Sequence, residues 1–391
     1  MAVFADLPHE LLHLIASFMT RDIIVDKSKS RLVVSDTRLR VGATLFVPDL
    51  PSLNALCSTS AALHDTLKGT LYRLSATSRP LGELALLWAV KHNQGSVVDK
   101  LVAAGVSLSA EYRFKNVRCG LLHISARMGL RPMVVKLLSL YGEEASSKVH
   151  SQAKVNDNRG MTALQYAARS QHLDVVEILA PIPSSQSLIA TNVDTQAMRK
   201  RYLSDALVES VEAGNRKISE YLISEGADPN FCGVPLRRAV RNNNVALVQL
   251  LLASGADPNL HNPGIFEKPL LFAAADIDVA QQLATAGADI HVKDRASRNV
   301  LTQSNNLELL RFFLERGVDP NGRDDVNYTP LHYACAQDDA DVALAFVDLL
   351  LEFGASESVE AIARDGCTPL WIALNLGRHT VAQILRPDMD Y

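Results

Sequence analysis

Apolar residues recur at helical spacing along most of this chain, and a glycine follows nearly every such stretch. Residues 245–252, for example, place valine, alanine and leucine at i, i+3, i+4 and i+7, the period of an α-helix with one buried face. Gly255 comes shortly after them. Each stretch therefore predicts a helix that packs one face against a neighbour and ends close to a glycine.

The glycines belong to a motif that returns at a nearly constant interval. Gly-Ala-Asp-Pro-Asn occupies residues 226–230 and 255–259, with close copies at 317–321 and 287–291. Successive glycines from Gly226 are 29, 32, 30 and 37 residues apart. A glycine after a helix takes up left-handed backbone at little cost, and aspartate side chains satisfy backbone groups in turns. The motif thus predicts a helix end followed by a tight turn.

A second motif marks the start of each unit. It reads Thr-Pro-Leu-His-Tyr-Ala at residues 329–334 and Thr-Pro-Leu-Trp-Ile-Ala at 368–373. Threonine suits the position before a helix because its hydroxyl accepts from a free backbone N–H, and proline suits the first helical position. Each unit is predicted to be a short helix, a turn, a longer helix and an extended connector.

These residues resemble the ankyrin repeat, which has a period of about 33 residues and the signature Thr-Pro-Leu-His-x-Ala. The resemblance implies an all-α fold, an ankyrin-repeat solenoid of about nine helix–turn–helix units with hairpin loops, over residues 82–386. The helix pairs are expected to start near Leu84, Gly120, Thr162, Ser204, Pro235, Pro269, Asn299, Thr329 and Thr368.

Three places depart from the regular repeat. Residues 142–157 and 181–203 lengthen two connectors, which we expect to be loops. The repeat from Asn299 lacks the Thr-Pro-Leu-His signature, and its first helix is expected to be short. The basic run at residues 198–201 is interpreted as a solvated face of the second connector, with a nuclear import signal or an anion patch as alternatives.

Residues 1–78 do not carry the repeat. Residues 4–19 predict one amphipathic helix, and residues 53–67 offer a second apolar stripe. The pattern L-P-x-E-L-L-x-x-I-x-x-F in the first segment resembles the opening of an F-box, a small helical domain that docks on the adaptor Skp1 of a cullin-RING ubiquitin ligase. The resemblance implies these docking residues: Leu7, Pro8, Leu11, Leu12 and Ile15.

The F-box-like segment has an insertion at about residues 24–52, where the family has only a few residues. Two interpretations stay open, since a surface loop of this length costs little free energy. Either the segment docks on Skp1 with the insertion as a loop, or it no longer binds Skp1 and only caps the end of the solenoid.

Composition removes several classes of function. The chain has 391 residues, 48% of them hydrophobic, and its 39 basic and 43 acidic side chains give a net charge of −4. This charge argues against direct nucleic-acid binding, and no apolar stretch is long enough to cross a membrane. Without a leader segment, the protein is expected in the cytosol or the nucleus. Five scattered cysteines are interpreted as small core residues rather than as disulfides or zinc ligands.

Nothing in the sequence predicts catalysis, a metal site or a cofactor, because the phosphate-binding, nucleophile and zinc motifs are missing. His123 and His332 are expected to hydrogen-bond within the repeat turn. The resemblance instead implies partner binding at the hairpin tips. The candidate tip residues are Asn158, Arg159, His261, Asn262, Lys293, Arg295, Arg323, Asp325, Arg364 and Asp365.

The leading hypothesis is a non-enzymatic, monomeric substrate-recognition subunit of a Skp1-cullin-F-box ubiquitin ligase, with Skp1 and an unknown target protein as its partners. The alternative is a nuclear ankyrin scaffold or transcriptional co-regulator, in which residues 1–78 are only a cap.

Overall fold

The structure is a computed structural model that describes residues 22–26, 31–32, 44–46, 79–114, 117–152, 154–155, 160–181, 192–260, 268–304 and 306–387. The predicted helix over residues 4–19 and the apolar stripe over residues 53–67 lie outside this range. So do several predicted site residues, namely Leu7, Pro8, Leu11, Leu12, Ile15, Asn158, Arg159, His261 and Asn262.

The inserted region of the N-terminal segment contains β-structure. Strand β1 (Asp22–Asp26) pairs antiparallel with both β2 (Arg31–Leu32) and β3 (Thr44–Phe46), which gives the order β2-β1-β3. Its register aligns Val25 with Leu32 and Ile23 with Leu45. The insertion, which one of the two open interpretations treats as a surface loop, thus includes three short paired strands.

The chain forms two compact units, residues 1–202 and residues 203–391. In the first unit, the described helices and strands after residue 78 are α1 (Arg79–Lys91), α2 (Gly95–Ala103), β4 (Tyr112–Phe114), β5 (Val117–Cys119), α3 (Leu121–Arg127), α4 (Arg131–Tyr141), α5 (Ala145–His150), β6 (Lys154–Val155), α6 (Ala163–Arg169) and α7 (Leu173–Leu179). Helix α1 thus begins before the predicted boundary at residue 82. The fold is helical, as predicted, with short β-ladders outside the helix pairs.

Helices of the first unit pack in two layers. The first helices of successive pairs, α1, α3 and α6, contact one another in that order, and the second helices, α2, α4 and α7, do the same. Leucines such as Leu86, Leu122 and Leu137 are almost completely buried. Each pair therefore covers its apolar face with the next pair, as the repeat pattern predicts.

Both long connectors contain helix, so the prediction of loops there is wrong. A 3₁₀ turn (Gly142–Glu144), helix α5 and strand β6 occupy the first. In the second, helix α8 (Asn192–Glu212) begins twelve residues before the predicted start at Ser204. The basic run at residues 198–201 therefore lies on a helix, because polar residues extend α8 in front of its apolar half.

The second unit continues the helix pairs. After α8, its described helices are α9 (Arg216–Ser224), α10 (Val234–Arg241), α11 (Val245–Ala253), α12 (Ile277–Thr285), α13 (Leu307–Glu315), α14 (Pro330–Cys335), α15 (Ala340–Glu352), α16 (Pro369–Asn375) and α17 (His379–Leu385). Helices α11, α12, α13, α15 and α17 contact one another in that order. The predicted apolar run 245–252 lies within α11, where Leu247, Val248 and Leu251 are fully buried.

Two repeats of this unit begin with a 3₁₀ helix instead of an α-helix. These are Leu270–Ala273 and Val300–Gln303, and the second confirms the short first helix predicted after Asn299. In both, the cap of the following helix, Asp276 or Asn306, comes sooner than in the repeat from Thr329. The start and the next cap are seven residues apart in these two repeats (276 − 269 and 306 − 299) but ten apart in the repeat from Thr329 (339 − 329). The shorter segment takes the 3₁₀ form, which is common in short pieces.

The recurring glycines and aspartates perform the predicted local tasks. Gly226, Gly255 and Gly317 have φ of 103°, 88° and 82°, the left-handed region that favours glycine. In the same motif, the Asp228 carboxylate accepts from the backbone N–H of Asn230 at 2.9 Å, and the copies at 257, 289 and 319 repeat this bond. The motif is thus a helix end followed by an aspartate turn.

The asparagine that ends the motif joins one repeat to the next. Asn230 Nδ2 donates to the carbonyl of Gly255 at 2.8 Å, Asn259 to that of Gly287 at 2.8 Å, and Asn321 to that of Gly354 at 2.9 Å. Two of these side chains also accept a backbone N–H of the next repeat, at 2.7 and 2.8 Å. We call this series of bonds the asparagine ladder.

Four cysteines fall within the described residues, and all are free thiols. Cys119 and Cys335 are buried, and burial raises the pKa of the Cys335 thiol to about 12. Cys232 is exposed, so its prediction as a core residue is wrong. It lies in a 3₁₀ turn at φ 51°, outside the helix pairs.

Replacing Asn321 by alanine tests the ladder. The change removes the bond to Gly354 and the bond that Ser358 Oγ donates to Asn321 Oδ1. We expect the free energy of unfolding to fall by about 1–3 kcal/mol, measured by urea denaturation. Asn375→Ala, at an exposed helical position, is the control and should change it by less than about 0.5 kcal/mol. Equal losses for the two variants would contradict the role of the ladder.

Candidate functional site

Three hairpins of the second unit contain four of the six predicted tip residues that the structure describes. They span residues 294–298, 324–328 and 363–367, and in each the first backbone N–H donates to the last carbonyl at 2.9–3.0 Å. The hairpins are joined by further backbone bonds of 3.0 Å, from Asp325 N–H to the Ala296 carbonyl and from Arg364 N–H to the Val326 carbonyl. We call these three segments the tip hairpins.

One aspartate organises each of the first two tip hairpins. The Asp294 carboxylate accepts backbone N–H bonds from Ala296 and Arg298 at 3.0 Å, and the Arg298 guanidinium at 2.8 Å. Desolvation raises the pKa of Asp294, but the bonds from Arg298 outweigh it and hold the pKa below its usual range. The hairpin is therefore closed by an ionised carboxylate.

Asp324 has the same place in the second hairpin and is 7% exposed. Its carboxylate accepts the backbone N–H groups of Val326 at 3.0 Å and Tyr328 at 2.8 Å, and its other oxygen accepts the Tyr333 hydroxyl at 2.7 Å. Every polar atom of this buried carboxylate thus has a partner, which fixes both the hairpin and the Tyr333 ring.

The described tip residues from the sequence prediction are all exposed, and they point charges of both signs to solvent. They are Lys293, Arg295, Arg323, Asp325, Arg364 and Asp365. Arg295, Asp325, Arg364 and Asp365 lie within the tip hairpins, and Lys293 and Arg323 directly precede them. The role of all six in binding stays a prediction.

A cavity of about 360 Å³ lies between the second and third tip hairpins. Val326, Tyr328, Tyr333, Arg364 and Asp365 line it. The Tyr328 hydroxyl donates to Asp365 Oδ2 at 2.7 Å, and the rings of Tyr328 and Tyr333 are 5.8 Å apart. The structure therefore brings Arg364 and Asp365 together with an aromatic pair that the sequence prediction did not include.

The bond between Tyr328 and Asp365 sets the charges at this cavity. It raises the pKa of Tyr328 and lowers that of Asp365, so the phenol keeps its proton and the carboxylate stays ionised. Burial, followed by the bond to Asp324, raises the pKa of Tyr333 to about 12. At neutral pH the cavity thus presents two neutral phenols beside one anion and the Arg364 cation.

Sequence reasoning missed Val326, Tyr328 and Tyr333 for identifiable reasons. Val326 is 45% exposed, which is unusual for a valine, but nothing in a single sequence marks an exposed apolar side chain. Tyr328 directly precedes the Thr-Pro-Leu-His motif and Tyr333 fills its variable position. A search for aromatic residues at these two motif positions would have found both.

His332 and His123 are structural, as predicted. His332 Nδ1 accepts the Thr329 backbone N–H at 3.1 Å, and Nε2 donates to the carbonyl of Cys367 in the next repeat at 3.4 Å. His123 makes the same two kinds of bond, with Gly120 at 3.3 Å and Ser151 at 2.9 Å. Burial lowers the pKa of both rings, so they stay neutral.

No group of His, Cys, Asp and Glu side chains within the described ranges has the arrangement of a metal site. In the same part of the chain, no helix combines the length and the apolar character needed to cross a bilayer.

The buried histidines predict a pH dependence of stability. Because the folded-state pKa of His332 lies below the unfolded value of about 6.5, protonation favours the unfolded chain. The contribution of His332 to the free energy of unfolding is therefore fully present above about pH 6.5. It falls as the pH drops towards the folded-state pKa. We expect His332→Gln to reduce this fall, measured as the urea midpoint between about pH 7.5 and 5.5.

Glutamine suits this test because Gln165 has the same place in its own repeat, where it accepts the Thr162 backbone N–H at 2.7 Å. His379→Gln changes an exposed histidine and should keep the wild-type dependence. A His332→Gln variant with the full wild-type loss of stability at low pH would refute this assignment.

Asp324 and Asp325 form a natural pair for testing the tip hairpins. Asp324→Ala removes three bonds to a buried carboxylate, and we expect a loss of roughly 2–3 kcal/mol in unfolding free energy. Asp325→Ala removes an exposed carboxylate and should cost less than about 1 kcal/mol. Urea denaturation of both variants measures the difference, and a larger loss for Asp325→Ala would show that the assignment is wrong.

Comparisons with known proteins agree with this geometry. The model for ankyrin repeats matches residues 86–186, 122–232 and 296–391, and the model for a single ankyrin repeat matches residues 234–263. No F-box domain is detected. Over 212 residues the chain is 28% identical to the E3 ubiquitin-protein ligase KEG of Arabidopsis thaliana. The match covers 50% of this chain but only 12% of that relative.

The matched segments cover more than half of the chain. Ankyrin repeats indicate binding to other proteins and are typically interaction modules rather than enzymes. With its helix pairs, glycine ends and linked hairpins, the chain belongs to the ankyrin-repeat family.

Proposed function

We propose that this chain is the substrate-recognition subunit of a Skp1-cullin-F-box ubiquitin ligase. In this proposal residues 1–78 dock on Skp1, and the ankyrin repeats hold a target protein for ubiquitin transfer. The observation that carries the target-binding half is the set of tip hairpins, which are exposed, linked to one another and joined by an aromatic cavity.

The tip hairpins have the properties of a binding surface that is formed in advance. Backbone bonds hold their conformation before any partner arrives, so little conformational entropy is lost on binding. The cavity combines tyrosine, arginine and an exposed valine, and the first two are the residue types that often dominate binding energy. The mixed charges around it favour one partner over others.

The ligase half rests on the F-box-like pattern in residues 4–19, carried by Leu7, Pro8, Leu11, Leu12 and Ile15. The relative from Arabidopsis thaliana is named an E3 ubiquitin-protein ligase, which is compatible with a role in ubiquitin transfer. The match covers only 12% of that relative. Its name therefore supports a role in ubiquitin transfer in general and not the docking of residues 1–78 on Skp1.

If residues 4–19 dock on Skp1, a charge on the apolar face of their predicted helix should prevent Skp1 binding. Leu12→Asp or Ile15→Asp should abolish co-purification of Skp1, because docking buries these side chains and a carboxylate cannot be buried there unpaired. His13→Asp introduces the same charge between them in sequence but outside the apolar stripe, and should keep binding. Circular dichroism should record unchanged ankyrin melting in all three variants.

Skp1 binding that survives both Leu12→Asp and Ile15→Asp would overturn the docking proposal and leave residues 1–78 as a cap. The nuclear scaffold then becomes the function to adopt if Skp1 is missing from pull-downs and nuclear enrichment depends on Arg199, Lys200 and Arg201. Affinity purification of the full chain with mass spectrometry tests for Skp1 and a target at once.

A further inference from the structure

The first unit contains a cavity of its own, of about 380 Å³, bounded by α1, β5, α3 and α6. Its walls are mainly apolar and aromatic, contributed by Cys119, Ile124, Met128 and Tyr166. The two basic side chains Lys91 and Arg127 also line it. We call this the basic cavity.

The apolar part of the basic cavity is open to solvent on one side. Cys119 and Ile124 are each 5% exposed, whereas Met128 is 44% exposed. Tyr166 is held edge-on against His123, with ring centroids 6.0 Å apart at 87°. A large apolar side chain that enters between Met128 and Tyr166 would therefore bury surface that otherwise faces water, on walls that are already fixed.

The opening carries a positive charge at Arg127. No carboxylate lines the basic cavity, and no ion pair of Arg127 is present among the described residues. Arg127 lies close enough to Cys119 and Tyr166 to lower the pKa of each, against the burial that raises them. An exposed cation beside apolar walls favours a group that carries an apolar part next to an anion.

We propose that the basic cavity docks an acidic segment of a partner protein. One large apolar side chain of the segment enters between Met128 and Tyr166, and a flanking carboxylate lies against Arg127. A long nucleic acid fits less well, because the whole chain has a net charge of −4 and a polyanion needs an extended basic track. The inference deepens the proposed function and rests on it, since it names the chemistry of the captured protein.

The test selects random twelve-residue peptides displayed on phage against the full chain, then measures the enriched peptides by fluorescence anisotropy. We expect the enriched sequences to carry leucine, isoleucine, methionine or phenylalanine next to aspartate or glutamate. Arg127→Glu and Met128→Asp should each weaken binding at least tenfold. Arg131→Glu makes the same charge change on α4, at an exposed position outside the cavity, and should bind as the wild type does.

Several results would overturn the inference. They are the absence of any enriched peptide, enrichment of basic or uncharged peptides, and equal binding by Arg127→Glu and Arg131→Glu. Self-association in sedimentation, or binding of a single-stranded oligonucleotide, that is lost only in Arg127→Glu would assign the cavity to a second copy or to nucleic acid instead. Circular dichroism melting checks that each variant is folded.

Different results would overturn the ligase proposal and the docking proposal for the basic cavity. Peptide binding by a wild-type chain that does not bind Skp1 would overturn the ligase role and leave the basic cavity as a docking site. Skp1 binding by a chain that selects no acidic peptide would do the reverse. Arg127→Glu should keep Skp1 binding, because the change lies outside residues 1–78.

Discussion

The asparagine ladder is the interaction on which the second unit depends. Each asparagine closes one repeat and donates to the backbone of the next, at 2.8–2.9 Å. A side-chain amide can donate and accept at once, so one residue satisfies backbone groups that would otherwise be left unpaired between repeats. The bonds recur at the same place in three copies of the motif, at residues 226–230, 255–259 and 317–321, whereas His291 replaces the asparagine in the copy at residues 287–291.

Direct backbone bonds also join the hairpins at the surface. One of them, between Asp325 and Ala296, links the repeat in which His291 replaces the ladder asparagine to the repeat that follows it. In the last described repeat, no described repeat follows to bury the side chains of its first helix. His332 is fully buried by the next repeat, while Trp371, which has the equivalent place in the last described repeat, is 52% exposed. The burial of a motif residue thus depends on the repeat that follows it as much as on the motif itself.

The parts of the fold that local chemistry determines could be predicted from the sequence. The glycines, the aspartate turns and the short first helix after Asn299 all follow from residues close together in the chain. The early start of α8 could not, because residues 192–203 are largely polar and lack a clear apolar period. The aromatic cavity could not be predicted either, because its walls come from two hairpins that the sequence alone does not align.

Native-state hydrogen exchange at single backbone amides tests the central claim, that bonds between repeats hold the hairpins rigid. The amides of Asp257 and Asp289 bond to ladder asparagines, and those of Asp325 and Arg364 bond to the preceding hairpin. The account predicts that all four are protected and exchange only when the helices of the second unit open. Exchange of these amides at the rate of an unprotected loop, while the helices stay protected, would contradict it.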